Sequence, residues 1–365
     1  MPQGRHPLVN GKELSIGDKR YRILELMSEN GASCLVYMAE CLSLENADYG
    51  MSHKYVIKEF YPSELLSHIS RKGVELIVSD KKSKEYYDSK IRFCNGVARQ
   101  VAFSYVGSNE STLGCPEAFS DVNGTAYCIL RLGNGGTLKD EAIGTGSPVF
   151  SACEIVQIMA SLCSTIGELH IRNQLYLDIK PGNVFLFDKI IGKNRCIALF
   201  DFDTVYKKGN LPQNGPYSER WSPPEQREWD NPNEITEAAD VYAIGALFYW
   251  LLTGDEVTYD ILDSISFGDF SFLRMTKALL ETDDVIVQTE RILECSLRWE
   301  ASERTWNLGK LVYMFNELEH MLSENGMTYN KRNSISDMIG LEINYMVDLV
   351  SRNRQKQIKG GKHNG

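Results

Sequence analysis

From Tyr21 to Met27 apolar and polar residues alternate as on a half-buried strand, and Cys34 to Ala39 gives a second strand after a turn containing Asn30 and Gly31. Lys54 to Phe60, reading KYVIKEF, predicts a third. Glu117 to Val122 and Thr125 to Leu132 flank Asn123-Gly124, a dipeptide suited to a type I′ turn, and predict a hairpin. Ser83 to Phe103 reads as a helix lying between these strands. Beyond the hairpin the period is helical. Ile155, Met159, Leu162, Ile166 and Leu169 form an apolar stripe behind a capping box of Ser151 and Glu154. Thr236 to Gly254 is apolar nearly all round, as a helix at the centre of a lobe should be, and helical patterning continues to about Leu322. Residues 1–18 are polar and glycine-containing and read as a loose leader. Ile335, Met338, Ile339, Ile343, Met346, Val347 and Val350 make a last stripe, followed by a tail with Arg352, Arg354, Lys356, Lys359 and Lys362 and no acids.

Charge and cysteine content narrow the class. A formal charge of -10 argues against a nucleic-acid-binding surface. The nine cysteines are scattered without a CxxC pair, which fits small core residues in a reducing compartment. The N-terminal stretch lacks the apolar core of a signal peptide, and the longest apolar run, Val241 to Leu252, is too short to span a bilayer. The expectation is a cytoplasmic protein without a transmembrane segment.

The chemistry is concentrated in Tyr176 to Val184, YLDIKPGNV, and Phe200 to Asp203, FDFD. These place carboxylates at Asp178 and Asp201, an ammonium at Lys180 and an amide at Asn183, all beside apolar, strand-like residues. Phosphoryl transfer needs a carboxylate to orient the attacking hydroxyl and accept its proton, a cation near the transferred phosphate, and oxygen ligands for magnesium. Each role has a candidate. The order D-x-K-x-x-N followed by D-F resembles the catalytic loop and metal-binding motif of the eukaryotic-like serine/threonine protein kinases. The resemblance makes Asp178 the base, Lys180 the phosphate partner, and Asn183 and Asp201 the ligands of magnesium or manganese.

The same resemblance organises the rest. Lys58, on an apolar strand, would need an anionic partner, and the α- and β-phosphates of ATP are the obvious one. Its continuation, KEFYPSEL, resembles a bacterial branch of the kinases. Gly31 is the surviving glycine of the phosphate-covering turn, where Glu29 and Cys34 replace the other two. Val36, Val56 and Phe185 are implied to sandwich the adenine, with Leu130 gating the pocket behind it and Leu132 leading into the hinge. Gly96 stands where the helix glutamate that pairs with the lysine belongs, leaving Gln100 or Asn95 as neutral substitutes. Leu177 replaces the arginine that precedes the catalytic aspartate, so phosphorylation of the activation segment has no standard partner, and Asp203 replaces the glycine of D-F-G, which should stiffen the segment. SERWSPPE resembles the segment before the family's buried glutamate, implying an ion pair of Glu225 with Arg304 and placing Ser218 at a threonine position. Asp240 would hold the backbone of the catalytic loop.

The implied fold is α+β and two-lobed, with a small antiparallel sheet lobe at 19–132, a helical lobe at 133–322, and a C-terminal helix and basic tail at 323–365. The implied activity is transfer of the ATP γ-phosphoryl group to protein serine or threonine, with the protein substrate unknown and no nucleic-acid partner. A pseudokinase is the alternative, resting on Glu29, Cys34, Gly96, Leu177 and Asp203. A small-molecule phosphotransferase of similar fold is a third reading, disfavoured by Lys180 and the PPE segment. For the C-terminal stripe two readings stay open, a helix docked on the domain or a partner- or membrane-surface helix with a basic anchor.

Overall fold

The computed structural model describes residues 4–29, 31–43, 54–104, 116–131, 135–143, 150–191, 194–212, 215, 217–228, 231–275 and 282–324. Leu132 and the stripe from Ile335 to Val350 lie outside them. The chain divides into two compact units, Met1–Met321 and Leu322–Gly365. The first holds both lobes.

The smaller lobe is a six-stranded antiparallel sheet in the order β1-β2-β3-β4-β8-β7. Its strands are β1 (Glu13–Ile16), β2 (Lys19–Ser28), β3 (Cys34–Cys41), β4 (Lys54–Phe60), β7 (Pro116–Val122) and β8 (Thr125–Arg131). Between β4 and the long helix α1 (Ser83–Ser104) a separate hairpin is inserted, β5 (Ile69–Lys72) with β6 (Glu75–Val78). The turn joining β7 to β8 carries positive φ at both Asn123 and Gly124, 56° and 72°, the backbone that Asn-Gly favours.

The segment expected to be a loose leader is instead part of this lobe. Leu14 and Ile16 alternate inward along β1, which pairs with β2, and Leu8 is buried. Two inward side chains in a polar stretch leave little trace as a pattern, yet suffice once a neighbouring strand supplies the ladder.

Successive side chains of β4 point to opposite faces, so Lys58 and Glu59 part company. Glu59 is fully buried and accepts from Arg71 on β5 at 2.7 Å, from the Tyr37 hydroxyl at 2.9 Å and from the Tyr127 hydroxyl at 3.1 Å. The Tyr37 hydroxyl in turn accepts from the Leu8 amide at 3.1 Å. This network fastens the N-terminal segment and the inserted hairpin over the sheet. On the other face, Phe60 packs against Tyr86 and Phe93 of α1.

The larger lobe is mostly helical. In chain order come β9 (Gly135–Thr137), α2 (Leu138–Ile143), α3 (Ala152–Ile171), β10 (Gln174–Leu175), β11 (Val184–Ile191), β12 (Asn194–Leu199) and β13 (Tyr206–Lys207). They are followed by α4 (Pro224–Glu228), α5 (Glu237–Thr253), α6 (Tyr259–Ser266), α7 (Asp283–Ser296) and α8 (Leu308–Glu324). The capping box at Ser151 and Glu154 starts α3 as expected, and Thr236 caps α5, which is buried along almost its whole length. Among the described residues α3 alone is long and apolar enough to cross a membrane, and its stripe from Ile155 to Leu169 is buried in the core.

Candidate active site

β10 and β11 hold the catalytic-loop residues between them. Asp240, fully buried near the start of α5, accepts from the amides of Tyr176 at 2.9 Å and Leu177 at 2.8 Å and meets His170 Nε2 at 2.8 Å. Gln226 of α4 donates to the Leu177 carbonyl at 2.7 Å. Leu177 therefore has both backbone groups tied by side chains, and it sits at a φ of 62°, which a leucine rarely adopts. This twist turns the chain so that Tyr176 points into the core and Asp178 toward the cleft. The Tyr176 hydroxyl donates to the Phe200 carbonyl, and its ring meets Phe202 edge-on at 5.7 Å.

Asp178 is 8% exposed and lies at the centre of a polar cluster. Lys180 Nζ donates to both its oxygens, at 2.9 and 2.8 Å. Asn183 Nδ2 donates to Asp178 Oδ2 at 2.6 Å and to its carbonyl at 2.9 Å. The Ser218 hydroxyl donates to Oδ1 at 2.7 Å and accepts from Lys180 Nζ at 3.0 Å. Burial pushes the Asp178 carboxyl above the ordinary aspartate value against the pull of Lys180 and Ser218, and nearby Asp201 adds to the rise.

The second half of the site is reached through the strand ladder. The Asn183 carbonyl accepts from the Phe200 amide at 2.9 Å, fixing Asp201 beside the end of the catalytic loop. Asp201 itself takes a φ of 65° and lies 3.9 Å from Lys58 Nζ. Burial disfavours the Lys58 ammonium, but Asp201, with smaller contributions from Cys34 and Asp203, outweighs it and the lysine is held firmly charged. Asp203 sits in the 3-10 turn from Phe202 to Thr204. The positive φ in this segment falls at Asp201 and not at Asp203. Burial and then Asp201 push the Asp203 carboxyl upward, while Lys58, Arg99 and Arg92 draw it down.

Of the expected nucleotide-facing residues, Val36 pairs with Lys58 across β3 and β4, and Val56 pairs with Leu130 across β4 and β8. They line the same face of the sheet as Lys58. Leu130 is buried, Phe185 packs on Phe200 at 5.4 Å, and Gly31 is exposed in the turn between β2 and β3. Arg5 donates to two carbonyls of that turn, Glu29 and Ala32, a support that sequence reading missed because residues 4–8 show no periodicity. Asn95 is exposed on α1, which removes it as a partner for Lys58. Glu225 and Arg304 form the expected ion pair, with Arg304 Nη1 at 2.6 Å and Nη2 at 3.0 Å from the two carboxylate oxygens.

A cation held here would meet hard oxygen donors. Asn183 spends its amide nitrogen on Asp178 and keeps its carbonyl oxygen, and Asp201 presents a carboxylate. Among the described residues no cluster of three or more His, Cys, Asp or Glu gathers to hold a metal alone. That donor set suits a hard divalent cation that keeps water and phosphate ligands of its own.

The model of the protein kinase domain matches residues 106–327, more than half of the chain. The chain belongs to the protein kinase family. The kinase is similar to ribosomal protein S6 kinase 2 alpha of Gallus gallus, 26% identical over 158 residues that make up 40% of this chain and 20% of that protein. It is also similar to serine/threonine-protein kinase 17A of Oryctolagus cuniculus, 24% identical over 126 residues, 34% of this chain and 31% of the relative. Calcium-dependent protein kinase 3 of Plasmodium yoelii yoelii is 28% identical over 165 residues, 43% of this chain and 29% of the relative. The chain thus spans between a fifth and a third of the length of these curated relatives. The family match spans the stretch that holds Asp178, Lys180, Asn183 and Asp201 and begins after the strand that carries Lys58.

Proposed function

We propose that this kinase domain transfers the γ-phosphoryl group of ATP to serine or threonine hydroxyls of proteins. The observation that carries this reading is Asp178, a nearly buried carboxylate that accepts at once from a serine hydroxyl at 2.7 Å and from Lys180. A substrate hydroxyl in that position would be oriented by Asp178 and would lose its proton to it, while Lys180 stands ready beside the transferred phosphate. Asn183 steadies the Asp178 carboxylate through one hydrogen bond and the loop backbone through the other, to the Asp178 carbonyl. Lys58 is assigned to the α- and β-phosphates. Gly31, Val36, Val56, Leu130, Leu132 and Phe185 are assigned to nucleotide binding, and Asn183 and Asp201 to a magnesium or manganese ion. When bound, the ion offsets negative charge on the phosphate oxygens. A cytoplasmic setting and the bacterial branch resembled by KEFYP belong to the same proposal.

Incubation with γ-labelled ATP, magnesium or manganese and a generic basic protein is expected to leave label on serine or threonine. Label on a sugar or aminoglycoside and on no protein would shift the assignment to a small-molecule phosphotransferase. No transfer under either metal, from protein shown to be folded, would make the pseudokinase the working model.

A further inference from the structure

The turn between β2 and β3, which the kinase reading sets over the nucleotide phosphates, is held from outside its own two strands. The β2–β3 ladder last pairs Ser28 with Val36, just past a shift of register, so it stops short of the turn. The β3 limb has another support. Tyr61 and Ser63, in the FYPS run that follows Lys58 and Glu59, donate their amides to the carbonyls of Ser33 and Ala32, both at 2.9 Å. Arg5 joins the two limbs. Its Nη1 donates to the Glu29 carbonyl on the β2 limb, and its Nη2 donates to the Ala32 carbonyl on the β3 limb at 2.7 Å.

Arg5 is itself delivered by a fixed segment. Arg71 Nε donates to the His6 carbonyl at 2.5 Å, and the Leu8 amide donates to the Tyr37 hydroxyl at 3.1 Å, so the backbone just after Arg5 is clamped at two points. Both clamps end on Glu59, which accepts from Arg71 and from Tyr37. The Arg71 guanidinium also lies over the Tyr61 ring, 5.6 Å from its centre. Arg5 Nε is buried, so the inner edge of its guanidinium is enclosed while the outer nitrogens reach the turn. Lys58 and Glu59 are neighbours on β4 that face opposite ways. The KEFYPS run therefore has a use beyond its lysine: Glu59 holds the segment that carries Arg5, and Tyr61 and Ser63 hold the turn.

We infer that Arg5 is a positioning residue for nucleotide binding: by tying both limbs of the turn to the segment at 4–8, it presents the turn's backbone to the phosphates of ATP in one conformation before the nucleotide arrives. A turn that meets phosphate through its backbone binds more tightly when its ordering is complete in the free protein. Glu29 gives the bracing a second use. With its carbonyl fixed on Arg5, the backbone of that acidic residue has little freedom to swing its carboxylate toward the phosphates. The role in nucleotide binding rests on the kinase reading of the cleft, whereas the bracing of the turn does not.

In the full chain, Arg5→Ala removes both bonds to the turn. Hydrogen exchange of peptides spanning 28–35 in the nucleotide-free protein is expected to quicken about tenfold, because two bonds from a charged donor are lost. Affinity for the magnesium complex of a non-hydrolysable ATP analogue should fall about tenfold, while affinity for adenosine, which carries no phosphate, should stay within about twofold of native. Arg5→Lys is expected to recover only part of the loss, since an ammonium does not reproduce the fork that spans two carbonyls. Unchanged exchange and unchanged analogue affinity in Arg5→Ala would overturn the inference. An equal fall for adenosine would overturn it too, by making Arg5 a support of the whole lobe. If Arg5→Ala does not fold, Arg5→Lys decides by the same comparison. A native chain that binds the analogue but transfers nothing, with weaker binding in Arg5→Ala, would keep the inference and reject phosphoryl transfer. Transfer by the native chain, with analogue affinity unmoved in Arg5→Ala, would do the reverse, and a native chain that binds no analogue would overturn both.

Discussion

Leu177 holds a left-handed backbone that costs roughly 1–3 kcal/mol in a non-glycine residue, and it does so because Asp240 takes its amide and Gln226 its carbonyl. Replacing Asp240 with alanine would strand two buried amides, each worth about 1–3 kcal/mol. We expect Asp240→Ala to lower the unfolding free energy by about 3 kcal/mol in a urea titration and to reduce phosphoryl transfer with it. A loss below about 1 kcal/mol would mean that the loop is held by something else. Cys34 makes a second residue-level prediction. Burial pushes its thiol up to about 12 even though Lys58 pulls the other way, so Cys34 should resist alkylation at about pH 8 in the native protein and react on unfolding. At this scale the sequence was most informative where chemistry is dense. Asp178, Lys180, Asn183 and Asp201 were legible because four polar types at fixed offsets have few other uses. Leu177 was legible only as a lost arginine, since nothing in a leucine announces a positive φ. Gly96 and Asp203 were each legible as departures but not as neighbours, because their contact joins distant parts of the chain.

Elements with a strong period or a capping signal were read almost to the residue. KYVIKEF is β4 with its expected bounds, the Asn-Gly turn has the backbone its sequence favours, and α3 begins behind Ser151. The elements missed were short. β1 has only Leu14 and Ile16 to bury, and the β5–β6 hairpin has four residues a side, so neither raises a periodic signal. Their value lies in Arg71, whose guanidinium neutralises the fully buried Glu59. Arg71→Ala would leave that carboxylate uncompensated, and breaking such a pair costs about 3–5 kcal/mol. Equilibrium denaturation should show a loss of that order, with only partial recovery in Arg71→Lys because a lysine lacks the two-pronged donor geometry. A loss under about 1 kcal/mol would show that the hairpin is an ornament on the lobe rather than part of it.

For the whole molecule, the sheet lobe delivers Lys58 to one side of the cleft, and the helical lobe delivers Asp178, Asn183 and Asp201 to the other. Asp240 and the Glu225–Arg304 pair brace the second side from within its core. The central claim is that this assembly moves a phosphoryl group, and the most direct measurement is single-turnover transfer from γ-labelled ATP by the native chain and by Asp178→Asn. Loss of a positioned base predicts a rate lower by about 10²–10⁴-fold, with nucleotide affinity nearly unchanged and the melting temperature within a few degrees of native. Equal rates in the two proteins, or no transfer by a folded native chain, would contradict the account.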